Sequence, residues 1–275
     1  MTELLKYQSM RDNAKLRETL LEFARVTGIV KPRGVSFSLP SGYSCGKVAK
    51  DCLSYAHPVT GKLSHGKDSI YNCFSAINET RPKVRAARWH NWNLLQTAWK
   101  WGATHIDIAN MLIESMPANT DLCRVHVGGE FPGTEFGREY MRAWFYVARE
   151  TGIHCYAYTK NVKTFLELRD EKPDNFNMTM SRGGLYDHLI DKHSLKTARV
   201  IFHPSQSMDA HGNNDPDLID HNDMRAVFDM GKNDTGKGSD HSFYLLLHGM
   251  QPAQSEASKA IQRLKRERIR FSYSS

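Results

Sequence analysis

A chain of 275 residues can bury one large core or, at most, two small ones. With 40% hydrophobic and 24% charged residues it has the make-up of an ordinary soluble globular protein. No apolar stretch reaches the roughly 18 residues of a membrane span, which argues against a membrane partner. The opening segment, MTELLKYQSMRDNAKLRETLLEFARV, is charged and amphipathic, without the apolar run or small-residue cleavage site of a signal peptide. A cytoplasmic location is therefore expected. The formal charge of +7 gathers near the end, at Lys259, Arg263, Lys265, Arg266, Arg268 and Arg270. A basic C-terminal helix of this kind is either a solvated face or a contact for nucleic acid, and no nucleic-acid-binding motif accompanies it.

The leucines of residues 3–26 recur at helical spacing, with Gly28 as a stop, so 1–33 reads as an N-terminal helical extension. GVSFSLP at 34–40 reads as the first strand. A long segment follows, from 41 to about 79, rich in Gly, Ser and Lys and poor in core-forming residues. From 82 to 116 the pattern is helical, broken at Gly102. Strand-like runs then appear at 122–127, 153–159, 176–181, 198–203 and 242–248. Helices are expected at 134–150, 161–171, about 184–194 and about 253–269. The loop-rich stretch 204–241 interrupts the rhythm. Six strands alternating with helices predict one α/β domain over 34–275, as a six-unit (βα) partial barrel or an open doubly wound sheet. Ligand sites in such folds gather beyond the carboxyl ends of the strands.

Five cysteines in a chain of this length are too few and too unevenly placed for a disulfide framework. Three of them, Cys45, Cys52 and Cys73, fall within 29 positions of the long segment after the first strand. Thiolates are the usual ligands of iron–sulfur clusters, and of structural zinc when a fourth donor completes the set. A metal would offset the ordering entropy of so long a loop. The alternatives are three free cysteines, or zinc with His57 or His65 as fourth ligand. Cys123 and Cys155 begin the second and third strands and read as core residues.

Gly128-Gly129-Glu130 closes the second strand in RVHVGGEFPG. The glycines permit close approach of a ligand or another backbone, and the carboxylate can accept from an amine. By alternation, His126 shares a face with Arg124 and Gly128. Tyr156 and Tyr158, ending on Lys160, share a face of the third strand. Asn177, Thr179 and Ser181 share one face of the fourth strand; Phe176, Met178 and Met180 share the other. An inward polar line of this kind suits a substrate, or simply hydrogen-bonded interior groups. His203 and His248 end the last two strands. Asp220-His221-Asn222-Asp223 and Asp240-His241 either bind a metal or form turns.

The three-cysteine loop after strand one, the Gly-Gly-Glu after strand two and the six-unit pattern together resemble the radical S-adenosylmethionine superfamily. The resemblance implies a [4Fe–4S] cluster on Cys45, Cys52 and Cys73. It also implies contacts from Gly128, Gly129 and Glu130, with His126 beside them, to S-adenosylmethionine. That superfamily packs its cysteines as C-x3-C-x2-C, whereas six and twenty residues separate them here. A second resemblance spans residues 34 to about 260. SFSLPSGYSCGKVAKDC, NCFSAINETRPKVRAARWHNWNLL, RVHVGGEF, HCYAYTKN and LLLHGMQPAQSEASKA are similar to a mainly phage-encoded family called gene product 88. It implies a viral origin, and so a host-cytoplasmic location, without implying a reaction.

Four functions follow as expectations: a radical S-adenosylmethionine-type enzyme, a redox or structural iron–sulfur protein, a structural zinc protein, or a nucleic-acid-binding protein. The last would use the C-terminal helix together with Arg81, Lys83, Arg85 and Arg88.

Overall fold

The computed structural model describes residues 3–228 and 242–269; Asp240, His241 and Arg270 lie outside them. The chain opens with a short strand, β1 (Gln8–Ser9), and a 3-10 turn at Met10–Asp12 before α1 (Ala14–Thr27). The Asn13 side chain accepts from the Leu16 N–H to start α1, and Gly28 ends it in the left-handed region at φ 76°. Strand β2 (Gly34–Phe37) leads into the cysteine segment, which contains the hairpin β3 (Ser54–Ala56) and β4 (Leu63–His65), then α2 (Phe74–Asn78). Helices α3 (Pro82–Lys100) and α4 (His105–Ser115) precede β5 (Leu122–Val125). Helix α4 starts in a capping box formed by Thr104 and Asp107.

The alternation then runs α5 (Glu135–Thr151), β6 (His154–Thr159), α6 (Val162–Leu168), β7 (Phe176–Ser181), α7 (Asp187–Lys192) and β8 (Thr197–Ile201). After the short α8 (Met224–Val227) come β9 (Phe243–Leu246) and α9 (Glu256–Arg266). The result is a mixed α/β fold with nine α-helices among the described residues. Its main sheet has seven strands in the order β1-β2-β5-β6-β7-β8-β9, parallel throughout except for β1. The six strands read from the sequence all form and pair in chain order.

One expectation needs correction. Residues 3–13 form no α-helix: Gln8 and Ser9 pair with Ser36 and Val35 and extend the sheet edge, and a 3-10 turn follows at Met10–Asp12. The N-terminal segment is thus part of the sheet, and its two-residue strand is too short to show an alternation in sequence.

The period of two along each strand separates two environments. Val35, Phe37, Cys123, Val125, Cys155, Ala157, Phe176, Met178 and Met180 face a core shared with α3, α4, α5, α6 and α7. The opposite face carries Leu122, Tyr156 and Phe243 against α1 and α8. Both faces of the parallel sheet are thereby covered, as its backbone requires. Helices α3 to α7 lie together on one face and α8 on the other, and the loops after β2, β5, β6 and β7 meet at the carboxyl edge.

Candidate metal centre

Cys45, Cys52 and Cys73 come from three points of the segment after β2, and local hydrogen bonds hold each one. The Cys45 carbonyl accepts from the Val48 and Ala49 N–H groups in a tight turn. The Ser54 hydroxyl donates to the Cys52 carbonyl at 3.2 Å and accepts from the Cys73 N–H at 3.3 Å, tying two of the three together. Cys73 itself is the residue from which α2 starts. The segment is pinned to the edge of the sheet where the Lys50 and Asp51 N–H groups donate to the Gly183 carbonyl beyond β7.

The three thiols, each partly buried, lie within electrostatic reach of one another. The Cys73 thiol and the Tyr71 hydroxyl both lie within hydrogen-bonding reach of Cys52. The hydrogen bond from Cys73 and the nearby Lys160 ammonium bring the Cys52 thiol down to about 6 against the opposing effect of burial. The same hydrogen bond, together with burial, pushes Cys73 up. Burial first, then the negative charges of Glu130 and Cys52, pushes Cys45 up to about 12. A thiolate-prone cysteine between two thiols, beside a cation, is the environment in which a metal displaces protons from sulfur.

The Gly-Gly-Glu turn packs directly against this segment. The Glu130 N–H donates to Ser44 Oγ at 3.0 Å, one residue before Cys45. Gly129 has φ +87°, and a Cβ there would lie 2.7 Å from Leu39 Cβ and 2.7 Å from the Leu39 carbonyl oxygen. At Gly128 a Cβ would meet Arg88 Cζ at 2.5 Å. Both glycines therefore serve the approach of two protein segments.

Glu130 is buried and accepts three hydrogen bonds: from the Phe131 N–H at 2.8 Å, Thr159 Oγ1 at 2.7 Å and the Lys160 N–H at 2.7 Å. Burial raises its carboxyl to about 7 against those donors. Glu130 thus joins the end of β5 to the end of β6. Lys160 in turn points back toward β7 and donates to the Ser181 carbonyl and hydroxyl at 3.1 and 2.8 Å.

His126 does not face this centre. The strand ends at Val125, and His126 takes φ 64°, which breaks the alternation. Its ring packs edge-on to Phe131 at 4.5 Å, and Nε2 lies 3.1 Å from the Tyr140 hydroxyl of α5. Burial lowers its pKa to about 3, so it is neutral. Arg124 goes to the opposite face, so the expected shared face of Arg124 and His126 does not exist.

Among the described residues, no three His, Cys, Asp or Glu side chains are arranged to hold a single metal ion. His57 is committed elsewhere: its Nδ1 accepts from the Val59 and Thr60 N–H groups of the hairpin turn. A tetrahedral zinc wants four donors on one point, about 2.0–2.3 Å away.

The model of the gene product 88 family matches residues 6–264. The chain belongs to this family. No curated protein matches it, and neither does any solved structure.

One further sequence expectation for this gene product 88 chain changes with the structure. Arg85 and Arg88 are not available for phosphate. Arg85 is buried, donating to the carbonyls of Pro58, Val59, Glu79 and Thr80. Arg88 is 3% exposed and pairs with Glu79 at 2.6 Å while also binding Ser75. Arg81 and Lys83 remain exposed, as do the basic residues of α9, where Lys259 and Arg263 pair with Glu256 and Glu267. His203 pairs with Glu267 at 2.7 Å, whereas the His248 ring packs at a tilt against Phe74 of α2, 5.1 Å between centres.

Ser44, Ser54, Tyr71 and Glu79 were not singled out in the sequence. Ser44 adjoins Cys45 in the SGYSCG run, which is the only local signal for any of them. Cys123 and Cys155 are fully buried and paired in register across β5 and β6, as core cysteines.

Proposed function

We propose that this gene product 88 protein carries a [4Fe–4S] cluster on Cys45, Cys52 and Cys73, at the carboxyl edge of its parallel sheet. The supporting observation is that three thiols from separate stretches lie within electrostatic reach of one another, with Lys160 beside Cys52. A surface loop with unrelated cysteines has no reason to bring them together. The sequential strand order, with α3 to α7 on one face, also fits an opened (βα) barrel. When bound, such a cluster supplies one-electron transfer and one iron position left open by three protein ligands.

S-adenosylmethionine is the ligand that the radical-enzyme likeness implies for that position. Contact from Glu130 to its amino group would use the acceptor position that its three internal hydrogen bonds leave over. Within this chain, Glu130 and Ser44 hold the Gly-Gly-Glu turn against Cys45, and Lys160 places a positive charge beside the thiolates.

Anaerobic purification or reconstitution, followed by iron and sulfide analysis, tests the reading. About four of each per chain are expected. C45A, C52A and C73A should each lose the iron, while C123A and C155A should keep it. One tightly held zinc without sulfide, or equal iron loss from all five variants, would sink the proposal. For the loaded protein, formation of 5′-deoxyadenosine after reduction assigns it to the radical type. Full cluster occupancy without that product assigns the cluster a redox or structural role.

A further inference from the structure

The sheet face turned away from the crossover helices carries a polar constellation that the cysteine centre does not use. Arg124, Tyr156 and Asn177 stand side by side on β5, β6 and β7, and Tyr158 stands beside Thr179 one step further along. Four donors from this face and from α1 converge on one carboxylate, that of Asp223. Lys15 Nζ lies 2.6 Å away, the Tyr158 hydroxyl 3.0 Å and the Tyr156 hydroxyl 3.2 Å, and the Arg124 guanidinium donates as well. The guanidinium also lies 5.2 Å from the Tyr158 ring centre and 5.9 Å from that of Tyr156.

Asp223 is an unusual occupant. It holds φ 56°, a left-handed conformation that costs a non-glycine residue about 1 kcal/mol or more. It precedes α8, yet its side chain gives that helix no capping hydrogen bond. It sits on a four-residue helix in a long loop, whereas Arg124, Tyr156 and Tyr158 are built into the sheet. Two more polar groups of this face, Arg124 Nε and Thr179 Oγ1, are buried without a hydrogen-bond partner among the described residues.

We propose that Lys15, Arg124, Tyr156 and Tyr158 form a binding site for a small carboxylic acid, and that Asp223 fills it as a built-in stand-in which the ligand displaces. A carboxylate offers about four acceptor positions on its two oxygens, and four donors already surround one. Burial opposes ionisation of Asp223, but Arg124 and Lys15 hold it down to about 2, so the present occupant is an anion. His248 feels the charges of Lys15, Arg124 and Asp223, and its ring packs at a tilt against Phe74, the residue after Cys73. The site therefore adjoins the cysteine centre. It goes beyond the cluster reading and does not depend on it.

Succinate is the probe, with sodium chloride at matched ionic strength as the control. In the wild-type protein, amide hydrogen exchange of residues 220–228 should rise saturably with succinate and stay flat with chloride. In D223G, calorimetry should show succinate binding at least about tenfold tighter, because the stand-in no longer competes. K15M placed in that background should reverse the gain. Unchanged exchange in the wild-type protein at all succinate concentrations overturns the proposal. That holds even if D223G binds succinate, because a small acid then merely fills the gap left by a structural ion pair. Both readouts are independent of iron content, so a failure here is distinguishable from a failure of the cluster.

Discussion

Ser54 holds two of the three thiol-bearing residues in register, through one hydroxyl that donates to the Cys52 carbonyl and accepts from the Cys73 N–H. Ser54→Ala leaves both backbone groups without that partner, at a cost of about 1–3 kcal/mol for buried groups. Urea unfolding should register the loss, and Cys73 should become more reactive toward a thiol reagent in the metal-free protein. His126 makes a different kind of prediction. Its folded pKa, about 3, lies below its ordinary value because burial disfavours the imidazolium. As pH falls below the ordinary histidine range near 6.5, the unfolded chain takes up a proton that the folded chain refuses, so stability drops. The slope from this one residue approaches about 1.4 kcal/mol per pH unit. His154 and His248 are shifted the same way and add to it. Stability measured by urea unfolding should therefore fall from pH 7 to pH 5. His126→Asn, which tolerates the positive φ, should flatten that dependence; an unchanged slope would exclude His126 as a source.

At the scale of elements, α3 anchors the cysteine segment through a buried ion pair. Arg88 of α3 donates to Glu79 at the end of α2, and Glu79 also accepts from the Ser41 N–H at the start of the segment. The Ser41 hydroxyl bonds to Ser75 Oγ, so both ends of the segment meet at one point. Both charges are almost fully buried, and removing either one strands the other. Arg88→Met is expected to cost about 3–5 kcal/mol. Adding Glu79→Gln should restore part of that loss, giving a double-mutant cycle with clear coupling. Thermal denaturation of the four proteins measures it. Purely additive losses would show that the pair acts as two independent packing groups.

For the whole molecule, the cysteine segment and the sheet differ in what holds them. The sheet has helices packed on both faces and a continuous apolar core. Residues 41–79 have few buried apolar side chains and rely on hydrogen bonds to their neighbours. If a cluster is bound there, chelation should raise amide exchange mainly in 41–79 while β5, β6 and β7 keep their protection. Uniform exchange changes along the chain would instead mean that the metal is coupled to global folding.

The six parallel strands, the longer helices and the apolar side of the sheet were legible in the chain, because they follow from periodicity, whereas β1, the β3–β4 hairpin, α2 and α8 are too short to carry one. Phe176, Met178 and Met180 alternate with Asn177, Thr179 and Ser181, and that alternation alone separates the helix-covered face from the polar one. The three cysteines and the Gly-Gly-Glu turn were legible as residue types with characteristic chemistry. Their meeting was not, because it rests on contacts between residues far apart in sequence, such as Glu130 with Ser44 and Lys50 with Gly183. His126 was placed on the wrong face because alternation ends where the strand ends, and only its backbone angle shows where that is. The buried arginines of α3 read as surface charge, since their partner Glu79 and the carbonyls of the hairpin loop come near only in the fold. Lys15 and Asp223 lie 208 positions apart, and only tertiary packing puts them on one sheet face. Local pattern determined the elements; the approach of distant segments decided which side chains share a site.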